Sequence, residues 1–192
     1  MAHDSNVGDE NILLGARATE TEIKRLSGAG EMSKYRLIHF ATHGALAGQV
    51  SGASEPGLLL TPPDHATATH DGYLSASEVA DLKLDANWVI LSACNTAAGD
   101  VESAETLSGL ARAFFYAGAR ALLVSHWSVY SDVTVKLITG AIKRASADKS
   151  VGRAEAMRQA MLALIDNGAP SEAHPAFWEP FVVVGEGASR LH

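Results

Sequence analysis

Two nearly unbroken apolar runs stand out along the chain: Trp88-Val89-Ile90-Leu91-Ser92-Ala93-Cys94 and Ala121-Leu122-Leu123-Val124-Ser125. Both are too short for typical helices and have the length of strands buried on two faces. Tyr35-Arg36-Leu37-Ile38-His39-Phe40-Ala41 is a third strand run. Helical spacing takes over elsewhere. Leu107, Leu110, Ala111 and Phe114 share one face of a helix over residues 107–117, and Gly118 stands where a left-handed cap belongs. Further helices are expected over 132–145 and 151–165, the latter ended by Asn167-Gly168. Shorter ones are expected over 18–26 and over 78–82, with Ser75 or Ser77 as N-cap. The stretch 46–70, rich in Gly, Ser, Pro and Thr, reads as a long loop holding a short strand at Gly57-Leu58-Leu59-Leu60-Thr61. The Asp71-Gly72 turn then returns Tyr73-Leu74-Ser75 as a hairpin arm. A last strand over 177–184 contains Pro180, which lacks an amide proton and so belongs at a sheet edge. Strands alternating with helices predict an α/β fold, a three-layer α-β-α sandwich around a mostly parallel sheet.

Composition narrows the functional class. With 192 residues, 47% hydrophobic and 19% charged, the chain suits one sizeable globular core. A net charge of −7 with scattered Arg and Lys argues against a nucleic-acid partner. No apolar run approaches the roughly 18 residues of a membrane helix, and Met1-Ala2-His3-Asp4-Ser5-Asn6 carries no secretory apolar stretch. A single cysteine forms no internal disulfide, so a cytoplasmic setting is the expectation. Gly28-Ala29-Gly30 lacks the strand and the Lys-Ser/Thr of a phosphate loop, and no cofactor is expected. Residues 1–12 read as a disordered or vector-derived leader, and 13–192 as one folded domain.

Candidate chemistry lies where two strands end. One strand run stops at Cys94, before Asn95-Thr96-Ala97-Ala98-Gly99-Asp100, and another at Thr42-His43-Gly44. In an open α/β sheet, ligands bind at the carboxyl edge of the strands. A thiol becomes a nucleophile as the thiolate, and an imidazole takes its proton and later delivers it to a leaving group. His43 and Cys94 are therefore a candidate dyad, with the backbone amides of Gly44 and Cys94 as candidate oxyanion donors. The pattern alone also admits the blander reading, a cysteine serving as a small buried hydrophobe. His39 and His43 have the spacing of a zinc helix motif, but they lie in a strand run without the required Glu, so no metal site is expected.

The ordered motifs sharpen the choice. His39-Phe40-Ala41-Thr42-His43-Gly44 and Leu91-Ser92-Ala93-Cys94-Asn95-Thr96 resemble the two catalytic motifs of the CHAT family, caspase-like cysteine peptidases grouped with separases, legumains and gingipains. Leu107-Ser108-Gly109-Leu110-Ala111-Arg112-Ala113-Phe114, Val124-Ser125-His126-Trp127-Ser128-Val129 and His174-Pro175-Ala176-Phe177-Trp178-Glu179-Pro180-Phe181 resemble later segments of that family in the same order. The resemblance implies a caspase-like domain over 13–192, a piece of a longer chain. It implies peptide-bond hydrolysis through an acyl-enzyme, with His43 as acid–base and Cys94 as nucleophile. It further implies a substrate pocket near Trp127. Acidic Asp100, Glu102, Glu105 and Asp132 are candidates to favour a basic side chain there, or are ordinary solvated charges of a loop and a helix start. Two departures bear on that pocket. Tyr130-Ser131 stand where many members carry an acidic residue, and Asn95 where many carry Glu. The implied partners are a protein or peptide substrate and a regulatory helical-repeat region or partner protein. The alternative is a degenerate member acting as a protein–protein interaction module.

Overall fold

The computed structural model describes residues 8–67, 69–92, 104–126 and 131–188, with the backbone alone at 9, 104–108 and 131. In chain order the elements are α1 (Glu20–Gly28), β1 (Leu37–Phe40), β2 (His43–Ala45), β3 (Gly57–Leu59), β4 (Tyr73–Ser75), α2 (Ala76–Ala80), β5 (Trp88–Leu91), α3 (Ala104–Tyr116), β6 (Ala121–Ser125), α4 (Ser131–Ala147), α5 (Arg153–Asn167) and β7 (Phe181–Gly185).

The central sheet has the order β1-β5-β6-β7. β1, β5 and β6 run parallel, and β7 closes one edge antiparallel to β6. Alternation along the two buried strands splits the core in two. Val89, Leu91, Leu122 and Val124 pack with Ile23 of α1, Val79 of α2, and Leu110 and Phe114 of α3. Trp88, Ile90, Ala121 and Leu123 face the other way, onto Val133, Leu137 and Ile138 of α4 and Ala156, Met157 and Ala160 of α5. Helices thus cover both faces, which is why β5 and β6 read as continuous apolar runs. The three-layer α-β-α sandwich with a mostly parallel sheet is the architecture the sequence pattern predicts.

Local signals account for the element ends. The Thr19 side chain accepts the Glu22 amide at 3.2 Å and caps α1. Ser75, not Ser77, caps α2, in a reciprocal capping box with Glu78. Gly118 follows α3 at φ +96, and a Cβ there would lie 3.0 Å from the Asp85 amide nitrogen. Glycine satisfies both the left-handed backbone and the close approach.

A second, three-stranded antiparallel sheet, β2-β3-β4, lies on the α1–α3 side, where Leu58 and Leu74 enter the first core. Leu58 and Leu74 are directly paired, as the hairpin reading of residues 57–75 requires. The connection between them is held down electrostatically. The carboxylate of Glu20, 2% exposed, accepts the amides of Asp71 and Gly72 at 3.0 Å each. Lys24 bridges Glu20 to Glu78 of α2 and also donates to the Thr69 carbonyl.

Helix ends lie one to three residues from the expected positions, and two strand boundaries differ in ways that matter more. The first strand occupies 37–40 rather than 35–41, and the chain leaves the sheet there, so that His43 opens a strand of the second sheet. His39 and His43 accordingly belong to different sheets, and the single strand run read for them does not hold. The last strand begins at Phe181, because 175–177 forms a 3-10 turn with Pro175 in its first positions. There the Glu179 amide bonds back to the Pro175 carbonyl at 2.8 Å. Pro180 precedes the strand, and β7 does lie at the sheet edge.

Candidate active site

The sheet topology brings two strand ends together. β1 and β5 are immediate parallel neighbours in the register Leu37–Trp88 to Phe40–Leu91. Beyond the last pair, the Ser92 amide donates to the Phe40 carbonyl at 3.2 Å. The chain runs on from Phe40 to His43, and from Leu91 to Cys94. Both paths therefore depart from one point on the carboxyl edge of the sheet, where open α/β sheets bind ligands.

His43 is the first residue of β2, and its side chain is exposed. It faces Leu59 across the ladder, and the Thr42 hydroxyl donates to the Leu59 carbonyl, tying the crossover from β1 to β3. Beneath this crossover Phe40 is buried against Phe114 of α3, with ring centroids 5.6 Å apart and planes at 54°. An exposed imidazole on a segment fixed from below is suited to exchanging protons with a bound molecule. Gly44 is the central residue of β2, half-buried and paired with Leu58. Asp132 is exposed in the first turn of α4. Cys94, Asp100 and Trp127, the remaining residues of the expected site, lie outside the described residues.

The same sheet edge holds a polar pair that the sequence reading did not connect. His39 Nε2 and Ser92 Oγ share a hydrogen bond at 2.7 Å across β1 and β5. Both sit on the α4–α5 face, since His39 has the parity of Leu37 and Ser92 that of Trp88 and Ile90. Polar residues at the core-facing parity of two strand ends were the available signal. Ser125, fully buried, continues β6 on the same face at the matching level. Burial of the imidazole disfavours its charged form and lowers its pKa from the ordinary 6.5 to about 4. His39 is therefore neutral across the physiological range.

This burial has a measurable consequence. Below pH 6.5 the unfolded chain protonates His39 while the folded chain stays neutral until about pH 4. The associated stability is present above pH 6.5 and is lost as pH falls toward 4. The melting temperature of the parent protein should fall relative to that of His39→Gln over this window. Parallel melting curves between pH 7 and 4 would contradict it.

The layered fold and the neighbouring strand ends define a caspase-like α-β-α sandwich. The chain belongs to the CHAT domain family, whose model matches residues 2–186, nearly its whole length. That is a caspase-like family of cysteine peptidases. The chain is also similar to "Tetratricopeptide repeat protein 28" of Mus musculus, 25% identical over 207 residues. The match takes in 90% of this chain and 8% of that protein, so the chain spans less than a tenth of its relative. Among the described residues, no helix is long and apolar enough to cross a membrane.

Proposed function

We propose that this domain is a cysteine endopeptidase working through a His43–Cys94 dyad. The observation that carries the reading is the parallel adjacency of β1 and β5, the strands leading to His43 and to Cys94. In the reaction, His43 takes the Cys94 proton and the thiolate attacks the peptide carbonyl carbon. The backbone amides of Gly44 and Cys94 receive the oxyanion. Collapse breaks the carbon–nitrogen bond, the departing amine takes the proton from His43, and a thioester remains. A water molecule deprotonated by His43 then attacks the thioester, releasing the acid and restoring the thiol. The reaction uses no metal and no cofactor. Trp127 walls the pocket for the residue before the scissile bond, and Asp100 and Asp132 draw an Arg or Lys side chain into it. The setting is the cytoplasm, where a lone catalytic thiol stays reduced.

A fluorogenic peptide library tests both levels of the reading. Cleavage should concentrate on peptides with Arg or Lys before the cut, and one equivalent of iodoacetamide should stop it, since Cys94 is the single cysteine. Cleavage that persists in the fully alkylated protein overturns the mechanism. Thiol-dependent cleavage after Asp or a small apolar residue overturns the basic pocket alone.

A second reading is favoured by the kinship with a much longer protein named for its tetratricopeptide repeats. In it the domain is a non-catalytic module that docks on a helical-repeat region. It predicts saturable binding to such a region with no cleavage of any library member.

A further inference from the structure

We propose that the His39–Ser92 hydrogen bond is a positioning latch that sets the reactivity of Cys94. The inference rests on the peptidase reading of the site and names a residue pair outside the dyad.

Three observations lead to it. The bond joins neighbouring strands, its hydroxyl lies two residues before Cys94, and its imidazole lies four before His43. Backbone pairing already aligns β1 with β5 up to Phe40–Leu91, and beyond that point one amide, that of Ser92, reaches back to the Phe40 carbonyl. The side-chain bond is a second tie at the same place, on the opposite side of the strand from Phe40, whose ring packs into the α1–α3 core. Together the two ties fix both the position and the twist of the β5 end from which the chain continues to Cys94.

The imidazole itself is unsuited to the acid–base role. It is half-buried, engaged with Ser92, and kept neutral by its surroundings. A neutral imidazole holds one proton and one lone pair in fixed places, so its bond to a hydroxyl is directional and does not vary with pH near neutrality. The pair therefore holds geometry constant beside the exposed His43, to which the proposed mechanism gives the proton transfers. Misplacement by about 1 Å in a reacting constellation can cost about 10²-fold in rate, so a tie at this position bears on the chemistry without touching substrate.

The test uses the single thiol as its own reporter. The rate of iodoacetamide alkylation is followed against pH in the parent protein, Ser92→Ala, His39→Leu and His39→Gln, each checked for folding by circular dichroism. Glutamine places a hydrogen-bonding nitrogen near the position of Nε2, so His39→Gln is the conservative variant. The midpoint of alkylation should move up in Ser92→Ala and His39→Leu and return toward the parent value in His39→Gln. On the best library peptide, kcat of Ser92→Ala should fall about 10-fold to 100-fold with KM within about twofold. A merely structural role lowers the melting temperature and leaves the alkylation midpoint where it was. An unchanged midpoint in folded Ser92→Ala overturns the latch whether or not the parent cleaves peptides. A shifted midpoint in a parent that cleaves nothing upholds the latch and overturns the peptidase reading instead.

Discussion

Cys94→Ala is expected to abolish peptide cleavage, with a loss in kcat on the order of 10⁶-fold. The methyl group offers no nucleophile, so the acyl-enzyme route closes entirely and only weak oxyanion and binding effects remain. His43→Ala should lose roughly 10²–10⁴-fold, the usual contribution of a positioned acid–base group. His43 is exposed, and its role in the fold is through backbone pairing of β2 with β3, which alanine preserves. Its melting temperature should therefore match that of the parent protein. The double variant should be no slower than Cys94→Ala alone, because residues acting as a unit are not additive. Steady-state kinetics on one library peptide, with thermal melts as control, decide the matter. Cleavage by Cys94→Ala at the parental rate would rule out the dyad, and additive losses in the double variant would separate the two residues into independent roles.

How far such a site is legible in sequence depends on the kind of signal each part emits. β5 and β6 are buried on both faces, and their apolar runs mark the start of β5 and both ends of β6. Gly118 and Ser75 mark helix ends because their chemistry is local. The second sheet was legible only in part. Its outer pair announced itself through the apolar residues around the Asp71-Gly72 turn. β2, three residues reading His-Gly-Ala, carries no alternation and exists because β3 lies beside it. That missing strand is why His43 looks from sequence like the end of the strand run of β1. The parity of His39 and Ser92 marked two core-facing polar residues, but the bond between them was not legible, for a different reason. It depends on register between strands distant in sequence, which no local pattern encodes. The neighbourhood of β1 and β5 follows from the general tendency of sequential strands to lie side by side, but the level at which they meet does not.

The second large effect concerns what the site stands on. Phe114→Ala is expected to destabilise the fold by about 3–5 kcal/mol, the usual cost of emptying a buried phenylalanine site. Phe114 has no exposed surface and sits at the centre of the α1–α3 core, against Phe40. The tilted ring pair adds about 0.5–1.5 kcal/mol beyond simple burial. Leu110 and Leu122 line the same cluster, but neither has the volume to refill the space without leaving its own contacts. The damage is also directed. Phe40 is the last residue of β1, three before His43, and its carbonyl accepts the Ser92 amide. Losing its ring partner loosens the strand end on which the crossover to His43 and the tie to β5 both depend. Chemical denaturation should show the midpoint falling with the slope unchanged. At temperatures where the variant is still folded, kcat should fall while KM holds, because the reacting groups, not the binding surface, lose their support. A loss below 1 kcal/mol would mean that α3 collapses onto β1 and that the strand end is held by its hydrogen bonds alone.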